Sequence, residues 1–549
     1  MIELDDLPRE YSRALRGDLT GLMSLTPLLK RDERPESRAW VQLTSSMLSL
    51  FTPHTGMAVD DIKWIADTGS AEARRLGDLL CRYQELRCVL WFDREELGGW
   101  RDVHRRIHSA SGGSRVELGL VAVDCWMALL DGQADRTAKW ANALSSQAAK
   151  QGDAASVLES MVLRSLSALA LGKLDEALQT ARQGSRMAST EELILHEYLV
   201  NIVLARVRRY TGKPHLSQRI LDALARVTPR PWLGWITWEL LFASSYDRAA
   251  ELLEAYEMDH AAPAFPSQQA LRMFRSAQEG DHRAFEETVG FFEQSTSLWK
   301  GMADEALVVA AALSPARAVG APVAEWRKGL TDVVPGVLRG LTTPRIALDG
   351  TEQSALVVFT DGRQCCRMLS RGIGLLPDEA RAQLVTSSLS MYRVYTALAI
   401  LALVGPEGLE ERDLFQAVYG FPYEPTTHSA VLRTLLYRMR SETAETALIE
   451  RIDDRLVLRP LGVFLVPDPR ATADLEDLIL QTLAHFGGKA SAKQTASALN
   501  VPIRTVQAAF KRLIGDGACE VERTGRNIEY SLEDTTFYQP TLKRLKPRI

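Results

Sequence analysis

Cysteine is scarce in this 549-residue chain: six residues, Cys81, Cys88, Cys125, Cys365, Cys366 and Cys519, with no Cys-x-x-Cys pair among them. That excludes a disulfide framework and a zinc ribbon, and points to buried thiols. Long apolar runs are lacking too. None reaches about 18 uninterrupted residues, so no membrane span is expected, and the opening Met-Ile-Glu-Leu-Asp-Asp has no basic-then-apolar leader. A cytoplasmic protein is the expectation. No excess of one charge announces a partner, since 65 basic residues face 70 acidic ones for a net charge of -5, whereas phosphate binding usually shows as a basic surplus.

The common enzymatic signatures are missing as well. There is no Gly-x-x-x-x-Gly-Lys-Ser/Thr loop, no Gly-x-Ser-x-Gly elbow and no His-Glu-x-x-His. No catalytic residue, cofactor or metal is therefore expected. His104 and His108 stand four apart and can share a helix face, but Arg105 and Arg106 oppose a cation and the neighbouring sequence supplies no third ligand.

What is present is an ordinary globular composition, 46% hydrophobic and 25% charged, in a chain too long for one core. All eleven tryptophans fall between Trp40 and Trp326, and strand-like alternation begins after them. The main boundary is expected near residue 330, where Thr331 to Pro344 is rich in Gly and Pro. From Arg381 onward 21 basic residues face 20 acidic ones, so the acidic excess belongs to the earlier part. The whole reads as a mainly α protein: an N-terminal helical-repeat array over residues 1-335, then two small α+β units over 343-467 and 472-535, and a basic tail over 536-549.

In the array, apolar residues recur at three- and four-residue spacing between short breaks. The clearest unit runs from Val162 through Leu171-Gly172-Lys173 and Asp175-Glu176-Ala177-Leu178 to Arg182. It resembles the turn of a tetratricopeptide repeat, in which glycine permits the tight connection and small alanines allow close helix pairing. Looser turns follow Leu129, Tyr210, Ser244 and Gln278. Such arrays bury a core by stacking and offer a surface to a peptide, protein or small-molecule effector, or serve as a spacer or dimerisation scaffold.

From Arg345 strands are expected, with Asp349-Gly350 and Asp361-Gly362 as turn dipeptides. Three helices follow, at Met391 to Val404, from Gly408 to Gly420, and from Thr426 to about Thr443. Arg412-Asp-Leu-Phe-Gln-Ala-Val-Tyr-Gly, Thr427-His-Ser-Ala-Val-Leu-Arg-Thr-Leu-Leu-Tyr-Arg-Met-Arg and Ile449-Glu-Arg-Ile-Asp-Asp-Arg-Leu-Val-Leu together resemble the winged helix of response regulators and antibiotic-regulatory proteins. On its third helix Leu432, Leu435, Leu436 and Met439 share an apolar side, leaving Ser429, Arg433, Tyr437 and Arg440 as candidate DNA contacts. The tip Asp453-Asp454 is acidic and lacks the family's usual glycine, which leaves dimerisation or protein contact open as an alternative use.

After Pro467-Asp-Pro-Arg, read as a linker, helices are expected from Leu475 to Phe486 and from Ser491, a plausible cap, to Asn500. Ala496-Ser-Ala-Leu-Asn-Val-Pro-Ile-Arg-Thr-Val-Gln-Ala-Ala-Phe-Lys-Arg-Leu-Ile-Gly-Asp-Gly resembles the helix-turn-helix of small bacterial winged-helix repressors. That resemblance implies inward packing of Val506, Ala509, Phe510 and Leu513, and DNA contact by Arg504, Thr505, Gln507, Lys511 and Arg512. Two strands with Arg523, Arg526 and Asn527 at their tip would form a basic wing. In the repressor-like reading the chain regulates transcription on double-stranded DNA, nucleoid-associated and as a homodimer; the competing reading is an interaction scaffold whose winged helices bind protein.

Overall fold

The computed structural model describes residues 6-52, 57-111, 114-210, 214-243, 245-257, 266-296, 298-313, 356-360, 365-369, 391-419, 422-462, 464-468, 475-499, 501-515, 519-524 and 527-532. The boundary expected near residue 330, the Asp349-Gly350 and Asp361-Gly362 turns, Asn500, Arg526 and the basic tail lie outside these residues. The chain is mainly helical. It falls into two compact units, one chiefly of residues up to Gln269 with Gln294–Ala303, the other of Ala270–Glu293 and the described residues from Asp304 to Ser531. No helix among the described residues is long and apolar enough to cross a membrane.

The helices of the first stretch are α1 (Leu7–Leu15), α2 (Thr20–Leu29), α3 (Pro35–Leu48), α4 (Trp64–Asp67), α5 (Ala71–Leu90), α6 (Arg94–Ser111), α7 (Ser114–Leu130), α8 (Ala134–Gln151), α9 (Ala154–Ala170), α10 (Leu174–Glu191), α11 (Ile194–Tyr210), α12 (Pro214–Ala225), α13 (Leu233–Phe242) and α14 (Tyr246–Glu257). Then come α15 (Pro266–Glu279), α16 (His282–Gln294) and α17 (Lys300–Leu313). From α5 to α13 each helix packs on its neighbour in sequence, and α5, α7, α9, α11 and α13 also pack on one another in a continuous layer.

One cap recurs at the turns. At the end of α9 the Lys173 N–H donates to the Ala168 carbonyl at 2.8 Å while Gly172 takes φ +74°, a left-handed residue that closes the helix without a Cβ penalty. The α7–α8 turn repeats it, with Gln133 donating to Ala128 around Gly132. Phe92 and Glu192 hold the same left-handed place without glycine, at a cost of roughly 1 kcal/mol each. Along α10 the small residues Ala177, Ala181, Gly184 and Ala188 face inward. A Cβ on Gly184 would come within 3.2 Å of Val200 Cγ1, so a side chain there would press on α11.

In the second unit β1 (Leu356–Thr360) and β2 (Cys365–Leu369) form a hairpin with Thr360 opposite Cys365, ahead of α18 (Tyr392–Val404). Next are β3 (Leu409–Glu410), α19 (Glu411–Tyr419), α20 (Pro425–Glu442), β4 (Ala447–Ile452), β5 (Arg455–Pro460) and β6 (Phe464–Asp468). The sheet orders are β2-β1-β6 and β3-β5-β4. Strand β6 corrects the sequence reading: Pro467 and Asp468, read as linker, pair with Val357 and Leu356. A five-residue strand carrying proline sits where proline is tolerated, on the sheet edge. One core joins Leu398, Leu401, Leu414, Phe415, Leu432, Leu435, Met439, Leu456 and Phe464.

The last group comprises α21 (Leu475–His485), β7 (Lys489–Ala490), α22 (Ala492–Leu499), α23 (Ile503–Gly515), β8 (Cys519–Thr524) and β9 (Asn527–Leu532), with sheet order β7-β9-β8.

Candidate nucleic-acid interface

Helix α22 begins with a reciprocal cap. Ser491 Oγ accepts from the Gln494 N–H at 3.3 Å, and Gln494 Oε1 accepts from the Ser491 N–H at 2.9 Å, a capping box that fixes where the helix starts. Its end is closed by the Val501 N–H donating to the Ala496 carbonyl at 3.1 Å, and α23 opens with Thr505 N–H donating to the Pro502 carbonyl at 2.9 Å. Val506, Ala509, Phe510 and Leu513 are buried, and the Phe510 ring stacks on Tyr530 of β9 with centroids 3.8 Å apart. This stripe seats the helix against its sheet. At about 100° per residue, Arg504, Ala508 and Lys511 lie about 180° from the buried stripe, with Gln507 beside them.

Arg504, Thr505, Gln507, Ala508 and Lys511 are exposed. Arg512 is exposed too, but its Nε donates to Glu476 of α21 at 2.6 Å, which makes it an intramolecular tie. Arg523 is exposed on β8, and Asn527 opens β9. Ala508, which helical spacing also turns outward, is small and leaves room for a flat surface to approach the helix closely between Arg504 and Lys511.

Helix α20 buries Leu432, Leu435, Leu436 and Met439. Ser429 is half-buried, while Arg433, Tyr437 and Arg440 are exposed. By the same helical arithmetic, the face opposite the core is Ala430, Thr434, Tyr437 and Ser441; Arg433 and Arg440 lie on one flank. That flank faces β4, because Arg440 Nε donates to the Ile449 carbonyl at 3.4 Å. At the other end of α20, Tyr423 and Pro425 share a groove of about 420 Å³ with four carboxylates, Glu410, Glu411, Asp453 and Asp454, and three arginines, Arg412, Arg451 and Arg455.

Asp453 and Asp454 form the two-residue β4–β5 turn, with φ +49° and +63°. Such a turn suits the twist of paired strands but normally carries Asn-Gly or Asp-Gly.

The buried ionisable groups of the first unit answer the question of His104. It sits between Glu85, at 2.9 Å from Nδ1, and Asp78, hydrogen-bonded to Nε2. Burial alone would lower its pKa, yet the Glu85 charge and the two hydrogen bonds hold it up at about 10. His104 is therefore a protonated clamp. The carboxylates that local sequence did not reveal come from α5, where Asp78 and Glu85 are seven residues apart on one face; no metal-binding group of three occurs among the described residues. Beside them Arg82 pairs with Glu159 at 2.5 Å, and the Trp126 indole donates to Glu159 at 2.8 Å. Farther along, Glu239 accepts from Arg206 and Arg209, each at 2.7 Å, with all three buried. Glu197, 3% exposed, is pushed up to about 7 by desolvation.

No family model, no curated protein and no solved structure matches the chain.

Proposed function

We propose that this protein is a DNA-binding transcriptional regulator whose two C-terminal units are winged helices, with α23 as the helix that enters the major groove. The observation that carries the reading is the division of α23: a fully buried stripe on one side and free Arg504, Gln507 and Lys511 on the other. Arg pairs bidentately with guanine edges and Gln with adenine, and Lys supplies phosphate or guanine contacts. The helix, strands and exposed Arg523 of this unit supply the elements of the winged-helix docking geometry. The helical array, in this reading, is the sensor or partner-docking part of the regulator.

The test is binding to a pool of genomic duplex fragments across a salt series, with intact protein and with the Arg504→Ala, Gln507→Ala, Lys511→Ala variant. The expected result is enrichment of a shared sequence by the intact protein and loss of that preference in the variant. A log-affinity that falls steeply with log salt would report the phosphate contacts. Absence of enrichment, with weak binding that vanishes at physiological salt, would overturn the proposal. One observation favours a different partner for the first winged-helix unit: its acidic tip.

A further inference from the structure

We infer that α23 selects thymine by its methyl group, through a cation-free strip formed by Thr505 and Ala508, and that Glu476 keeps this strip clear by holding Arg512. The inference rests on the reading of α23 as the groove-entering helix and names what that helix selects. At about 100° per residue, Arg504, Gln507 and Lys511, spaced i, i+3, i+7, form one strip along the outer side of the helix. Thr505, Ala508 and Arg512 form a second strip beside it, displaced by one residue. All six are exposed. The first strip offers long hydrogen-bonding arms, and no hydrogen bond or ion pair among the described residues engages Arg504, Gln507 or Lys511.

Tertiary structure makes the second strip different. The half-buried Glu476, in the first turn of α21, accepts from Arg512 Nε at 2.6 Å and forms an ion pair with its guanidinium. The pair neutralises the one cation on that strip and ties it to α21. What remains to face a groove is the Ala508 Cβ and the short Thr505 side chain, both of which carry a methyl. Among the base edges of the major groove only thymine presents an apolar group, its C5-methyl; guanine, adenine and cytosine present donors and acceptors, which a methyl would desolvate without returning a hydrogen bond. Ala508 stands opposite the buried stripe, where a groove-bound helix comes nearest to the bases, with Arg504 four residues before it and Lys511 three after. The base that Ala508 meets therefore neighbours those within reach of the two arms, and thymine is selected inside the same few base pairs.

The test uses the full chain and the duplex fragment that the intact protein enriches. Each thymine of that fragment is replaced in turn by uracil, which removes the C5-methyl and nothing else, and the dissociation constant is measured for the wild type and for Ala508→Gly. In the wild type, uracil at one or two positions is expected to weaken binding about fourfold, the worth of one buried methyl. At the same positions Ala508→Gly is expected to be indifferent. Glu476→Gln is expected to release Arg512, steepen the slope of log affinity against log salt by about one, and narrow the preference for the enriched fragment over an unrelated duplex. Its unfolding midpoint is expected to stay put, since an exposed ion pair adds little to stability. Glu476→Gln with Arg512→Gln is expected to return slope and preference to wild-type values, which separates a freed cation from a displaced helix. An enriched fragment in which no thymine methyl matters, equal uracil penalties in the wild type and in Ala508→Gly, or a Glu476→Gln slope like that of the wild type would overturn the inference and leave the regulator reading standing. Absence of any enriched fragment would overturn both.

Discussion

The helical array and the C-terminal units use charge in opposite ways. The array buries it: His104 sits between Asp78 and Glu85, and Glu239 between Arg206 and Arg209, while Arg82 and Glu159 pair half-buried. The C-terminal units display it, with Arg504, Lys511, Arg433, Asp453 and Asp454 all exposed. Inside a protein a charge costs several kcal/mol to desolvate and is kept only by partners in good geometry. At the surface it contributes little to stability and remains available to another molecule. The difference teaches which substitutions will unfold this protein and which will only disconnect it from a partner.

The strongest way to break that contrast is His104→Ala. It leaves Asp78 and Glu85 buried without their cation, and a loss of about 3–5 kcal/mol is expected, read as a large fall in the thermal midpoint. The pH dependence has a definite sign. His104 is raised to about 10 in the fold, so its contribution is complete below the unfolded value of about 6.5 and fades as pH rises through 10. Wild type and a His104→Gln variant should therefore differ most at about pH 6 and converge toward pH 11; a constant gap would show that the charge is not the cause.

Glu197 sharpens the comparison from the other side, as a buried carboxyl with no cation to hold it. Its pKa is raised to about 7, so the folded state retains a proton that the unfolded chain releases near pH 4.3. Stability is then lost as pH rises from about 4 to 7. Glu197→Gln should stabilise the protein at pH 8 by up to roughly 3 kcal/mol and leave it unchanged at pH 4, which denaturant unfolding at the two pH values would measure.

Among the exposed groups the effects on folding are expected to be small. Removing Arg504 should leave the unfolding midpoint within error while weakening the bound state by about 1–3 kcal/mol. Asp454→Gly should stabilise slightly, by roughly 1 kcal/mol, because glycine accepts φ +63° without a Cβ penalty. A loss of stability there would mean that the carboxylate has an intramolecular task.

The helices α20 and α23 were legible in the residues because burial imposes a period. The spacing of Leu432, Leu435, Leu436 and Met439, and likewise of Val506, Ala509, Phe510 and Leu513, marks the inner face of each helix. The turn at Gly172 was legible for a similar reason, since only a few residues tolerate its backbone. Less could be read at β6, whose five residues carry too short a pattern to separate strand from linker. Arg512 and Arg440 were read as outward-facing contacts, yet the fold gives the first to Glu476 and turns the second toward the Ile449 carbonyl.

What the sequence by itself determined is therefore local: mainly helical character, the caps, and which side of each helix turns inward. All follow from periodicities and backbone preferences that act within a few residues. Tertiary structure alone decided the partners of the charged groups, because whether His104 is a metal ligand or a buried cation depends on two carboxylates brought to it from another helix. It also decided that the tip Asp453-Asp454 lies beside the start of α20. Long-range electrostatics of that kind arises from chain segments far apart in sequence, and only folding brings them into one field.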